Sequence, residues 1–324
     1  MTFSFNLLSD LQEMWSYQFM QHAFESGTLI AIIAGVMGYF VVLRRSAFTA
    51  HAFSEIGFAG AAGVLLLGID PIIGLLLGSS LGGLAIAALG RRASNRDTQI
   101  GIVLAFALGL GVLFFNLYSG YATAAYSILF GEILGISSSD VLLTLVASLI
   151  ILATVAVIYR PLLFASLDED VAEAKGLPML FLGTAFMLLV AIAVSFSVQV
   201  TGVLLIFSLM VTPAATAQRI ARRTQRAIMI SVAIALVATW SGLFIAFYEP
   251  YPVSFFITGI VFAFYLLVRL TQRIGRAKVD QTNFQGTGRL HGPPPSMSGD
   301  SGTQTAFVRV PERFTASAGM RRSR

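Results

Sequence analysis

Val141–Tyr159 reads VLLTLVASLIILATVAVIY and holds no Asp, Glu, Lys or Arg. A helix needs about 20 apolar residues to cross the hydrocarbon core of a bilayer, so this stretch reads as a membrane span. Outward from it, similar runs lie at Thr28–Leu43, Ala52–Leu67, Ile72–Leu89, Ile100–Leu117, Met179–Val198, Val203–Ala217, Ala227–Phe247 and Val253–Leu270. Together they predict a polytopic, all-α helix bundle of about nine crossings. Tyr121–Ser139 is less apolar and carries Glu132, which suggests a re-entrant or half-spanning helix.

Composition agrees. The 324 residues are 56% hydrophobic and 11% charged, with mean hydropathy +0.81. A soluble domain carries about a quarter charged residues. The net charge of +5 does not point to nucleic acid, because the basic residues sit in short loops and the tail. Lysine occurs only at 175 and 278, and no basic face is interleaved with aromatics. The absence of cysteine excludes disulfides, thiolate metal sites and thiol catalysis. Met1–Ser26 has neither a basic start nor a small-residue cleavage site, so it is not expected to be a cleaved signal. Trp15, Tyr17, Phe19 and Phe24 suit it to the membrane interface.

Arginine sets the expected orientation. Arg44 and Arg45, then Arg91, Arg92 and Arg96, Arg160, the Arg219–Arg226 cluster, and Arg269, Arg273 and Arg276 all fall on one side of these spans. The opposite loops contain no Lys or Arg, so the arginine side is expected to be cytoplasmic. The N-terminus is then outside and the C-terminus inside, in a multi-pass protein of the inner or cytoplasmic membrane. The expected organisation is an interfacial segment over residues 1–26, a transmembrane domain over 27–271 and a disordered cytoplasmic tail over 272–324. Gln281–Arg324 is rich in Gly, Pro, Ser and Thr and offers no apolar pattern to bury.

Four segments carry candidate chemistry. In Ala47–Gly63, AFTAHAFSEIGFAGAAG, His51 and Glu55 are four apart and share a helix face. Imidazole and carboxylate are ligands for a divalent first-row metal. The same pair also fits an interhelical hydrogen bond that only holds helices together. Gly57, Gly60 and Gly63, with Gly74, Gly78 and Gly82, have the spacing of close helix packing. Asp168–Pro178, DEDVAEAKGLP, is the long polar segment between spans: a short acidic helix ended by Gly176 and Pro178. It reads either as a solvated loop or as a docking helix for a cytoplasmic partner. Pro213, inside GVLLIFSLMVTPAATA, is expected to kink or break its helix. Glu132, Gln199 and His22 fit loop or interface positions, and His291 lies in the tail. There is no GxxxxGK[ST] phosphate loop, so the chain does not itself hydrolyse ATP, and no HExxH.

In order, GVMGYFVVLRRSAF (35–48), AHAFSEIGFAG (50–60), DTQIGIV (97–103), ILFGEILGIS (128–137), Asp168–Pro178 and GVLLIFSLMVTPAATA (202–217) resemble the permease subunits of ABC importers for zinc, manganese and iron, the ABC-3 family. The resemblance spans about Phe19 to Leu270. In that family the second helix reads DAxSHA, with its Asp and His implicated in the metal path. Here His51 stands at the Asp position and Glu55 at the His position, so the two ligand types are exchanged.

The resemblance implies an ABC-importer permease without catalytic residues. Asp168, Glu169, Asp170, Glu173, Ala174, Lys175 and Gly176 would form the coupling helix that seats on an ABC ATPase subunit. A second copy of the chain would complete a central pathway, and an extracytoplasmic metal-binding protein would dock above. Membrane lipid would surround the assembly. No covalent cofactor is implied, and the divalent metal is the transported substrate, zinc first and manganese second. Two alternatives remain: a permease for an iron or cobalamin chelate, and an intramembrane enzyme using His51 and Glu55 as base and acid.

Overall fold

The computed structural model describes residues 7–88, 96–118, 129, 131, 133–249 and 251–287. It divides into a compact unit over Met1–Ile274 and a second over Gly275–Arg324. Regular structure among the described residues is helical throughout. The elements are α1 (Leu7–Ser16), α2 (Gln18–Leu43), α3 (Ala47–Leu65), α4 (Pro71–Ala88), α5 (Arg96–Leu117), α6 (Ser138–Leu167), α7 (Glu169–Ala174), α8 (Met179–Thr201), α9 (Val203–Ile220), α10 (Thr224–Tyr248) and α11 (Val253–Thr287). The expected re-entrant segment, with Glu132, falls largely outside the described residues, as do His291 and the tail beyond Thr287.

Among the described residues, seven helices are long and apolar enough to cross a membrane: α2, α5, α6, α8, α9, α10 and α11. α4 is apolar but shorter, and α3 is diluted by Thr49, His51, Ser54 and Glu55. Both lie within the bundle. α3 packs against α4, α5, α8 and α9, while α4 also packs on α8. α2 is the other organising helix, against α6, α8, α9 and α10. It starts at Gln18, before the expected Thr28, and Met20, Ala23, Ser26 and Gly27 of its first turns are already buried.

The α3–α4 crossing is where the two glycine runs meet. A Cβ on Gly60 would overlap the Gly74 carbonyl oxygen, and one on Gly74 would overlap that of Gly60. Only glycine permits this approach. Hydroxyls then fasten neighbouring backbones: Ser79 donates to Phe53 O (2.8 Å), and Ser195 to Leu75 O (3.1 Å), linking α3, α4 and α8. Ser231 donates to Gly35 O at 2.9 Å between α10 and α2.

The interruption of the α8–α9 run lies at Gly202, not at Pro213. Gly202 has φ +80°, a region that favours glycine. Gly131, with φ +79°, abuts it so closely that a Cβ there would lie 2.6 Å from Gly202 N. The helix runs unbroken through Pro213. Proline removes one amide donor, and the surrounding turns of α9 remain intact, with Pro213 itself buried.

The basic ends of several helices gather at one end of the bundle. One cavity is walled by the end of α2, the end of α4, the end of α6 and the start of α8. Tyr39, near the end of α2, donates to Thr224 at the start of α10 (3.2 Å), and Gln272 donates to Arg219 O (2.8 Å). At the opposite end His22 meets Ile136 O at 3.0 Å and Ser138 Oγ at 3.2 Å, and Gln199 donates to Asp140 at 3.2 Å.

Candidate metal path and coupling segment

His51 and Glu55 lie one turn apart on α3. From Phe48 to Ala59, three positions are not buried: Phe48, His51 and Glu55. Their spacing defines a single narrow stripe along the helix, and the rest of that surface is covered by neighbouring helices. α9 shows a matching stripe at Leu204, Phe207 and Val211. The two stripes join where the His51 ring lies 5.0 Å from the Phe207 ring, tilted by 55°. Phe207 was not singled out from sequence, because inside an apolar run nothing distinguishes it from a packing residue.

The hydrogen bonding of the pair leaves ligand atoms available. Ser54 Oγ donates to the His51 backbone carbonyl (2.7 Å), not to its ring. His51 Nδ1 is buried and has no hydrogen-bond partner among the described residues. A buried nitrogen without a partner is costly unless a ligand supplies one. No cluster of three or more His, Cys, Asp or Glu suited to a metal occurs among the described residues. Each chain therefore brings together one imidazole and one carboxylate.

At the basic end, α7 stands out as a short projecting helix. Asp168 caps it, its carboxylate accepting from Val171 N at 3.0 Å. Gly176 ends it with φ +80°, and Leu177 N returns to Ala172 O at 3.2 Å. Lys175 Nζ lies 5.2 Å from the Phe164 ring centroid, tying the segment back to α6. Ala172 is buried, whereas Asp168, Glu169, Asp170, Glu173, Ala174, Lys175 and Gly176 are exposed. The polar segment is thus a rigidly capped surface knob. His22 and Gln199 take structural positions in the opposite end of the bundle, distant in sequence from the His51–Glu55 stripe.

A helix bundle of this kind, with an ionisable stripe inside and a capped knob at its basic end, defines a multi-pass membrane transport subunit. The chain belongs to the ABC 3 transport family, whose model matches residues 16–272. It is 29% identical over 238 residues to the manganese transport system membrane protein MntC of Listeria innocua, covering 73% of this chain and 85% of that one. It is 30% identical over 268 residues to a probable metal transport system membrane protein of Treponema pallidum, covering 82% of this chain and all of that one. Among solved structures, PsaBC from Streptococcus pneumoniae in complex with Fab superimposes with a TM-score of 0.73 at 28% identity, covering 81% of this chain and 95% of that chain. The chain is a permease subunit of the ABC transporter type, not an enzyme.

Proposed function

We propose that this permease conducts manganese across the membrane, drawn in by an extracytoplasmic binding protein and driven by a separate ATPase seated on α7. The sequence reading put zinc first; the relatives named for manganese support manganese instead. The observation that carries the reading is the uncovered stripe of His51 and Glu55 along the otherwise buried stretch of α3 from Thr49 to Ala59. Ionisable side chains do not persist against lipid and mark a pathway where they occur inside a membrane. An imidazole and a carboxylate suit manganese. Two ligands per chain hold an ion weakly enough to release it, and a second copy of the chain facing the same stripe would double them. The arginine-rich end, with α7, is cytoplasmic in this reading.

The test is ATP-dependent uptake in vesicles that contain the permease with its ATPase and binding protein. Manganese uptake is expected to exceed zinc uptake and to require His51 and Glu55. Faster zinc uptake would return zinc to first place, and uptake of neither metal would overturn the reading. Orientation is tested separately by single cysteines at Ser94 and Ser119. Ser119 is expected to react with an impermeant thiol reagent from outside and Ser94 from inside; the reverse pattern would invert the topology.

A further inference from the structure

The basic end of the bundle holds a cavity of about 490 Å³ that does not include His51 or Glu55. Its polar wall is Arg44, Arg45 and Ser46 from the α2–α3 turn, with Ser166, Thr184 and Glu169 across from them. Two guanidiniums against one carboxylate leave it net positive. The turn is firmly built. Ser46 is buried and its backbone N–H and hydroxyl both donate to Val41 O, at 2.9 and 3.2 Å. Arg45 adopts φ +53°, uncommon for a side chain other than glycine. Arg44 lies 5.0 Å from the Phe186 ring centroid, which fixes its guanidinium by a cation–π contact.

The rim has the opposite character. Leu167 is 65% exposed and Leu180 is 68% exposed, and both line the same cavity. Gly183 contributes no side chain, and a Cβ built there meets nothing within 4 Å. A basic, hydroxyl-bearing pocket bordered by outward-facing leucines at the end of membrane helices matches an amphiphile with an anionic head. Basic pockets between helices on the cytoplasmic side recognise such headgroups.

We propose that this cavity binds the phosphate headgroup of an anionic phospholipid, with Arg45 and Arg44 on the phosphate and the acyl chains along Leu167 and Leu180. The bound lipid would sit against Glu169, the first residue of α7. Lipid composition would then act on the same segment that the proposed function assigns to the ATPase. This last consequence rests on that assignment; the binding site itself does not.

The experiment is native mass spectrometry of the full-length chain in neutral detergent, titrated with phosphatidylglycerol or phosphatidylcholine. Phosphatidylglycerol is expected to be retained in preference to phosphatidylcholine. Arg45→Gln should weaken its retention about fivefold, the factor that corresponds to about 1 kcal/mol per surface arginine. Gly183→Leu fills the pocket without changing charge, in a helix that tolerates leucine, and should weaken it comparably. Glu169→Gln should strengthen it. Arg273→Gln, on α11 and outside the cavity wall, should change nothing. Equal retention of the two lipids, unchanged retention in both Arg45→Gln and Gly183→Leu, or an equal loss in Arg273→Gln would each overturn the proposal. So would displacement of the lipid by millimolar inorganic phosphate, which would make the pocket a free-anion site. Retention in detergent depends on neither orientation nor transport, so its failure leaves the metal-transport reading standing.

Discussion

α3 and α6 are both membrane helices, and they are built on opposite principles. α6 is plain in sequence, uncharged from Val141 to Tyr159, and only 28% of its apolar stretch is buried. α3 is poorer in large apolar residues, richer in Gly and Ala, and carries His51 and Glu55 mid-helix, yet most of its residues are buried. The difference follows from solvent. A helix facing lipid needs large apolar side chains, whereas one packed among helices needs small residues that let backbones approach. Mean hydropathy alone does not report contact with lipid, since α8 and α5 are equally apolar and only α8 is mostly buried. The His51–Glu55 stripe lies on α3, where neighbouring helices rather than lipid can accommodate a histidine and a glutamate.

The sharpest way to break that comparison is to remove the stripe's ligands. His51→Ala and Glu55→Ala should each lower manganese uptake by about tenfold or more, since even outer-shell partners of a bound metal cost that much when removed. Assembly with the ATPase should survive, because both side chains are only half-buried and lie away from α7. The exchanged variant, His51→Glu with Glu55→His, should recover part of the uptake. Normal uptake in both alanine variants would leave the pair a packing device and remove the distinction between α3 and α6.

Packing gives the next largest effect. Gly60→Leu places a side chain where the Gly74 carbonyl lies, so α3 and α4 must separate. Overpacking of this kind costs about 1–3 kcal/mol, and more where backbone rather than a side chain must give way. The expected result is loss of the folded, detergent-stable chain in size-exclusion chromatography, or a clear fall in its thermal midpoint. A variant as stable as the parent would mean that the crossing is looser than described.

Both helices show what a sequence makes legible. The spans were readable because lipid imposes one long-range rule on every exposed turn, and the arginine asymmetry then ordered their ends. The α3–α4 crossing was readable as glycine spacing, though nothing in the spacing said that the two runs face each other. Phe207 beside His51 was not readable, since contact between distant helices leaves no local mark in an apolar run. Proline was over-read: a strong local signal at Pro213 is absorbed within α9, while the actual interruption is set by Gly202 packed against Gly131. His51 and Glu55 were singled out because their ionisable chemistry is rare in a span, which is a sequence property. Their joint exposure on one stripe is a property of the fold.

A more moderate effect is expected at the surface knob, a third environment that faces outward and is anchored to the core by Ala172. Gly176→Ala meets no neighbour but must keep a positive φ, at a cost of about 1 kcal/mol to the local turn. Asp168→Ala removes the carboxylate that caps α7 and should cost about as much. Neither should unfold the bundle, since Ala172 is the sole buried residue of α7. A bulky side chain at Ala174 should add steric hindrance to ATPase docking. The readout is transport-coupled ATP hydrolysis, expected to fall while membrane insertion is retained. Unchanged coupling across all three would make the knob a solvated loop.

The smallest effect belongs to the outer face of α6. Leu149 and Ile150 are each 60% exposed on the chain described here. If lipid covers them, Leu149→Ala exchanges one apolar surface for a smaller one in an apolar solvent. There is no hydrophobic driving force to lose, because lipid tails are as apolar as leucine. Thermal stability in detergent and lipid should shift by less than about 0.5 kcal/mol, the range of ordinary surface substitutions. Leu149→Trp should be tolerated as well, since the added volume displaces lipid rather than protein. The alternative is that a second copy covers this face. Leu149→Ala would then open a gap in an interface and cost about 2–5 kcal/mol of dimer stability, as a core leucine does. Leu149→Trp would clash outright. Dimer fraction measured by single-molecule photobleaching in vesicles separates the two cases. An unchanged fraction in both variants places this face of α6 against lipid.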